Sequence, residues 1–144
     1  MHFAFLWSLM ESKVFGRHAH AAKIVDKVAE WHQANRLADR PWDESLHHFQ
    51  SRYVNAGRVN ETFRKLKFRQ NDRENYVADV LTSKREGNCD VVTALLLIVW
   101  RLRNNLFHGE KWADPLQRQL QNFQHANSLI AMAIDAHDGR AHSW

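Results

Sequence analysis

The chain contains few of the residues that build disulfide-linked or turn-rich proteins. Its 144 residues include one cysteine, two prolines and five glycines. A single cysteine, Cys89, excludes an intrachain disulfide. So few glycines and prolines argue against a β-sandwich or β-barrel, which needs many tight turns. This length is enough for one domain with a real hydrophobic core, and we expect a single domain over residues 1–144.

Long hydrophobic segments are also missing. The longest apolar run, from Val91 to Trp100, is about half of the roughly 20 residues that a membrane-spanning helix needs. The apolar start of the chain lacks the basic segment and the small-residue cleavage site of a signal peptide, and Glu11 and Lys13 follow it at once. We therefore expect a cytoplasmic protein with no membrane partner.

The net charge is modestly positive, +4 at pH 7 with the ten histidines neutral. A basic surface favours polyanions through counterion release, so this charge permits nucleic-acid binding without establishing it. Basic residues concentrate between positions 52 and 73, and Tyr53, Phe63 and Phe68 lie among them. Arg64 and Lys67 are candidates for contact with an RNA backbone. The alternative is a solvated surface whose aromatic residues turn inward.

Apolar residues recur at helical spacing along most of the chain, and no segment alternates as a strand would. The pattern predicts an all-α protein, a compact bundle of about five to seven helices. Predicted helices cover residues 3–15 (ending at Gly16), 18–38, a short segment capped by Asp43, 60–68, 72–81, 90–108, and a last segment after Asp114-Pro115.

The predicted helix over residues 90–108 carries the most informative residues. Val92, Leu96 and Val99 share one face of it, and Arg103 falls on the same face. A buried arginine is costly unless it is paired or faces a cavity or an interface. His108 lies about 140° around an ideal helix from Arg103, so the two side chains converge only if the helix distorts or a second copy completes the site. Asn104 is four residues before His108 and can orient the imidazole.

The segment from Leu102 to Lys111, with the sequence LRNNLFHGEK, resembles the HEPN superfamily of helical nucleases, particularly its small prokaryotic members. That family carries an arginine, often followed by a polar residue, and a histidine after four to six intervening residues. Arg103, Asn104 and His108 match these positions. The segment from Phe5 to Glu11 is similar to the first helix of such domains.

The resemblance implies metal-independent cleavage of RNA without a cofactor. The ribose 2′-OH would attack the adjacent phosphate and leave a 2′,3′-cyclic phosphate and a 5′-OH. His108 would act as general acid or base, Arg103 would bind the phosphate, and Asn104 would orient His108 or bind a phosphate oxygen. The resemblance further implies a homodimer with its active site at the interface, and a toxin–antitoxin or phage-defence role in which an antitoxin partner restrains the enzyme.

Several alternatives remain open. Arg101 is the second candidate for the motif arginine, because it shares a helix face with His108, and it is also a candidate RNA contact. Lys111 is expected to line the cleft. Glu11 either pairs with Arg103 or stays solvated. A non-catalytic helical module that binds RNA, a nucleotide or a protein in a defence system is the alternative function.

No metal site is expected from the histidines. His18, His20 and the neighbouring pair His47 and His48 lack the Cys/His framework or the H-E-x-x-H pattern that holds zinc.

Overall fold

The computed structural model describes residues 3–38, 40–107 and 116–139, without the side chains of residues 106, 107 and 116–118. His108 and Lys111 lie outside the described residues. The described part contains seven α-helices and one two-stranded hairpin, which confirms the all-α prediction. The helices are α1 (Phe3–Met10), α2 (Ala21–Gln33), α3 (Trp42–Tyr53), α4 (Glu61–Arg64), α5 (Glu74–Leu81), α6 (Asn88–Phe107) and α7 (Leu116–Asp138), and the strands are β1 (Val54–Asn55) and β2 (Arg58–Val59).

Helix α6 forms the centre of the bundle. Every residue from Val91 to Leu102 is buried, and α6 packs against α2, α3, α5 and α7. A helix that is apolar on nearly all sides is expected to be surrounded in this way. Helix α1 packs along α7 at the side of the bundle, where the rings of Phe3 and Phe123 stack 5.2 Å apart.

Helix α1 continues into a π-helical turn, Glu11–Phe15, which ends at Gly16. Gly16 has a φ of 77°, a left-handed conformation that glycine adopts without steric cost. The predicted helix over residues 3–15 therefore has the right limits but contains a change of helix type near its end. Such π turns occur often at functional positions, because the extra residue in the turn redirects the side chains.

Helices α2 and α3 have different limits from those predicted. Helix α2 begins only after His20, whose backbone is extended, and it ends before Asn35, which has a φ of 57°. Helix α3 begins at Trp42 with Pro41 before it, so Asp43 lies inside the first turn and does not cap the helix. A carboxylate in the first turn still favours the helix through its interaction with the helix dipole.

The segment between α3 and α5 is less helical than predicted. The β1–β2 hairpin pairs Val54 with Val59, and its turn residues Ala56 and Gly57 both have positive φ, 52° and 77°. A primed turn of this kind matches the twist of two antiparallel strands. Strands of two residues are too short to show an alternating pattern in the sequence. Helix α4 is capped by Asn60, whose side chain accepts a hydrogen bond from the Phe63 amide at 3.0 Å.

None of the helices in the described ranges combines the length and the apolar character needed to cross a membrane.

Candidate functional site

Arg103 lies near the end of α6 on the side that faces the π turn. Its Nη2 is 3.8 Å from Glu11 Oε1, and its side chain is 25% exposed. Its Nη1 donates a hydrogen bond to Asn104 Oδ1 at 3.0 Å. Two neighbouring side chains thus contact the guanidinium, while the side chain as a whole stays partly exposed. A partly exposed guanidinium with directed N–H groups can bind a phosphate oxygen.

Glu11 is held from both sides. While one carboxylate oxygen faces Arg103, the other accepts a hydrogen bond from the Ala19 amide at 2.9 Å. The Glu11 side chain is only 12% exposed. Of the two roles left open by the sequence, pairing with Arg103 is therefore the one that the structure contains. Glu11 links three parts of the fold: the π turn, the segment before α2, and the end of α6.

Asn104 lies beside Arg103 on α6 and is half-buried. Its side-chain oxygen is engaged by Arg103, whereas the sequence predicted that Asn104 would orient His108. Its relation to His108 stays a prediction, because His108 lies outside the described residues.

Arg101 faces the opposite side of α6, about 200° away from Arg103 on an ideal helix. It is 4% exposed. Its Nε donates to the Leu66 carbonyl at 2.9 Å, and its Nη1 is 3.5 Å from Asp72 Oδ2. The predicted RNA contact at Arg101 is therefore wrong, because a guanidinium enclosed by the core does not reach a nucleic acid. The sequence placed Arg103 on the apolar face of α6, but the arginine that the core encloses is Arg101, and the Arg103 side chain is 25% exposed.

Sequence reasoning missed two residues that complete this buried group. Asn105 accepts a hydrogen bond from Arg101 Nη2 at 3.3 Å and donates to the Lys65 and Leu66 carbonyls, both at 3.3 Å. Asp72 also accepts from the Arg69 amide at 2.8 Å. The group attaches the loop between α4 and α5 to α6. The four-residue spacing of Arg101 and Asn105 was the available signal, since such pairs meet on a helix surface.

The basic stretch between residues 52 and 73 is only partly a surface. Arg64 and Lys67 are exposed, and Arg64 pairs with Glu61 at 2.8 Å. Tyr53 and Phe63 are each 1% exposed, so these aromatic residues belong to the core and offer no stacking surface to RNA bases. The loop of this stretch packs on the Arg101 side of α6. Arg64 and Lys67 therefore belong to the surface next to Arg101, on the other side of α6 from Arg103.

A second polar cluster joins α3 to α7, and the sequence did not reveal it. The imidazole rings of His48 and His125 stack with centroids 4.2 Å apart. His48 Nε2 lies 2.8 Å from Asn122 Oδ1, and Ser45 Oγ lies 3.0 Å from His125 Nδ1. Burial lowers the pKa of both histidines, because desolvation disfavours the charged imidazolium. From the sequence, His48 suggested only a metal ligand, and that role was not expected.

Within the described ranges, no three His, Cys, Asp or Glu side chains are grouped as metal ligands would be. Comparison of the chain with protein-family models, with curated proteins and with solved structures found no match.

Proposed function

We propose that the chain is a metal-independent endoribonuclease whose active site contains Arg103, Asn104 and His108. The observation that carries this proposal is the position of Arg103. It is a partly exposed cation at the end of the central helix, fixed by Glu11 and Asn104, and it stands five residues before His108 in the sequence. The resemblance of this segment to the HEPN motif supplies the reaction class.

In this mechanism Arg103 binds the phosphate next to the bond that breaks. The phosphate gains negative charge as the 2′-OH attacks, and a fixed guanidinium stabilises that charge without having to reorganise. His108 takes the proton of the 2′-OH or protonates the 5′-oxygen that leaves, since an imidazole titrates near neutral pH. DNA has no 2′-OH and would not react by this route.

Glu11 has a positioning role in the proposal. Its carboxylate orients the guanidinium before RNA binds, because it is itself fixed by the Ala19 amide. A phosphate that approaches Arg103 competes with a counter-ion 3.8 Å away, a distance at which the ion pair is weak enough to be exchanged.

A second copy of the chain would complete the site. If the helix continued ideally to position 108, the histidine there would project about 140° away from Arg103, so the partner would provide the opposing residues. Phe5 and Leu9 support a contact between copies, because they are 58% and 43% exposed and lie one turn apart on α1, the helix that leads to Glu11. We further propose that the enzyme acts in the cytoplasm as a toxin or phage-defence effector with an antitoxin partner.

The test is incubation of the purified chain with labelled single-stranded RNA, and with DNA of the same sequence, in the presence of EDTA. Wild type should cut only RNA and leave cyclic-phosphate ends, whereas Arg103→Ala and His108→Ala should lose about 100-fold or more in rate. Arg17→Ala and His47→Ala are matched controls, since both residues are exposed. Equal rates in all four variants would contradict the proposal.

An RNA-binding module without catalysis is the second candidate function. The exposed Arg64 and Lys67, with Arg69 and Arg73 nearby on the surface, favour it. In that case RNA would bind without being cut, and the double variant Arg64→Ala/Lys67→Ala would weaken binding and lower its salt dependence.

A further inference from the structure

A cleft lies between the start of α3 and the middle of α7, closed on one side by Leu6 of α1. Its volume is about 570 Å³, within the range of cavities that hold small molecules. Its apolar wall includes Leu6, Pro41 and Met132, and its polar side includes Ser45 and His125. Arg103 and Glu11 do not line this cleft, so it is separate from the proposed RNA site.

Ser45 and His125 form a hydrogen-bonded pair at the edge of the cleft. A serine inside a helix commonly bonds to a carbonyl of the preceding turn. The Ser45 hydroxyl is instead 3.0 Å from His125 Nδ1, which is within the reach that proton transfer requires. Ser45 is 2% exposed, so bulk water competes little with His125 for its hydroxyl.

The surroundings of His125 hold the ring in a neutral and fixed state. Burial lowers the pKa of His125, the neighbouring His48 lowers it further, and Glu44 opposes this effect. The ring is therefore neutral at pH 7 and has a lone pair available at Nδ1 when its proton is on Nε2. His48 stacks on it and is anchored by Asn122, which is 1% exposed. The Arg52 charge also lowers the pKa of His48.

We propose that Ser45 is a nucleophile activated by His125, and that this pair hydrolyses small acyl esters in the cleft. The apolar wall would hold the acyl group. Glu44 carries the only full charge among the described lining residues, so the substrates would be uncharged or cationic. Glu44 also favours the imidazolium that forms when His125 accepts a proton.

The reaction balances with water as the only co-reactant. As Ser45 Oγ bonds to the acyl carbon, its proton moves to His125 Nδ1. The bond from that carbon to the alcohol oxygen then breaks, and His125 returns the proton to the leaving alcohol. A water molecule releases the acyl group from Ser45 by the same steps in reverse. Pro41 provides no side-chain cap for α3, and the Trp42 amide donates to the Arg40 carbonyl. The other first-turn amides, those of Asp43 and Glu44, would be the donors available to stabilise the oxyanion.

The experiment treats the purified full chain with a fluorophosphonate probe and maps the adduct by peptide mass spectrometry, with p-nitrophenyl butyrate hydrolysis measured in parallel. We expect one adduct on Ser45, formed about 100-fold more slowly in His125→Gln. Ser51→Ala is the matched control, because Ser51 is an exposed serine on the same helix. It should label and hydrolyse like wild type.

The pH profile provides an independent readout. Labelling should be half-maximal at a pH below the ordinary histidine value of about 6.5, and this dependence should disappear in His125→Gln. Circular dichroism on each variant distinguishes lost chemistry from lost folding. Absence of an adduct on Ser45 in the folded wild-type chain would overturn the proposal, and so would equal labelling rates in wild type and in folded His125→Gln. Neither result depends on RNA cleavage.

Discussion

Replacement of Arg101 by alanine should destabilise the fold far more than replacement of Arg103. Arg101 is 4% exposed and bonds to the Leu66 carbonyl, to Asn105 and to Asp72. Removal of one partner of a buried ion pair costs about 3–5 kcal/mol, because the remaining charge is left uncompensated. In this variant Asp72 would still accept a hydrogen bond from the Arg69 amide, and the Leu66 carbonyl would still accept one from Asn105. We therefore expect the lower limit, about 3 kcal/mol, for Arg101→Ala.

Urea and thermal unfolding followed by circular dichroism would measure this loss. For a chain of this size, a loss of that magnitude lowers Tm by roughly 10 °C. The double variant Arg101→Met/Asp72→Asn should recover part of the stability, since it leaves no unpaired buried charge. A loss below about 1 kcal/mol in Arg101→Ala would refute the reasoning, because that value is typical of an exposed ion pair.

Three other perturbations give distinct expected results. Arg103→Ala should cost less than about 1 kcal/mol in unfolding free energy, since its ion pair is long and partly exposed. It should nevertheless lower the rate of the proposed RNA cleavage about 100-fold or more. A large loss of stability in urea would instead make Arg103 a structural residue. The free energy of unfolding should have its full value above about pH 6.5. It should fall as the pH drops from there toward the folded-state pKa values of His48 and His125, which burial lowers. The reason is that the unfolded chain binds more protons than the folded chain in this range. Unfolding at pH 7.5, 6.5 and 5.5 would show this slope, and the double variant His48→Gln/His125→Gln should reduce it; an unchanged slope would contradict the assignment. Ala56→Asn should stabilise the chain by roughly 0.5 kcal/mol, because asparagine tolerates the positive φ of this turn position better than alanine, and an unchanged or lower urea midpoint would count against the turn geometry.

The helical part of the fold could be predicted because periodicity and helix-ending residues are local signals. Gly16 ends the first helical segment as predicted, and the long apolar helix α6 occupies the centre of the bundle. The limits of α2 and α5 were wrong at positions such as Asn35 and Arg73, which have positive φ. Residues other than glycine rarely have a positive φ, so the sequence does not indicate which of them will adopt it.

The candidate site was predictable to a smaller extent. The pairing of Glu11 with Arg103 was one of two alternatives, and the geometry that selects it depends on the π turn and on the Ala19 amide. The cluster of Ser45, His48 and His125 was not predictable, because Ser45 and His125 are 80 residues apart along the chain. The two come together only when α3 packs against α7. Local sequence patterns do not show which helices will pack against each other.

The distinction between Arg101 and Arg103 shows why an apolar face alone did not identify the buried arginine. Helix projection places Arg103 on the face of Val92 and Val99, but α6 is buried on all sides over that stretch, so every face is apolar there. Whether an arginine on α6 is buried depends on the groups that the neighbouring segments present to it at the last turns of the helix. The loop after α4 presents Asp72 and the Leu66 carbonyl to Arg101, which can then be desolvated. The π turn presents the Glu11 carboxylate to Arg103, whose side chain stays 25% exposed. Two arginines separated by one residue therefore differ in role because the helix directs one to the core and the other to the surface.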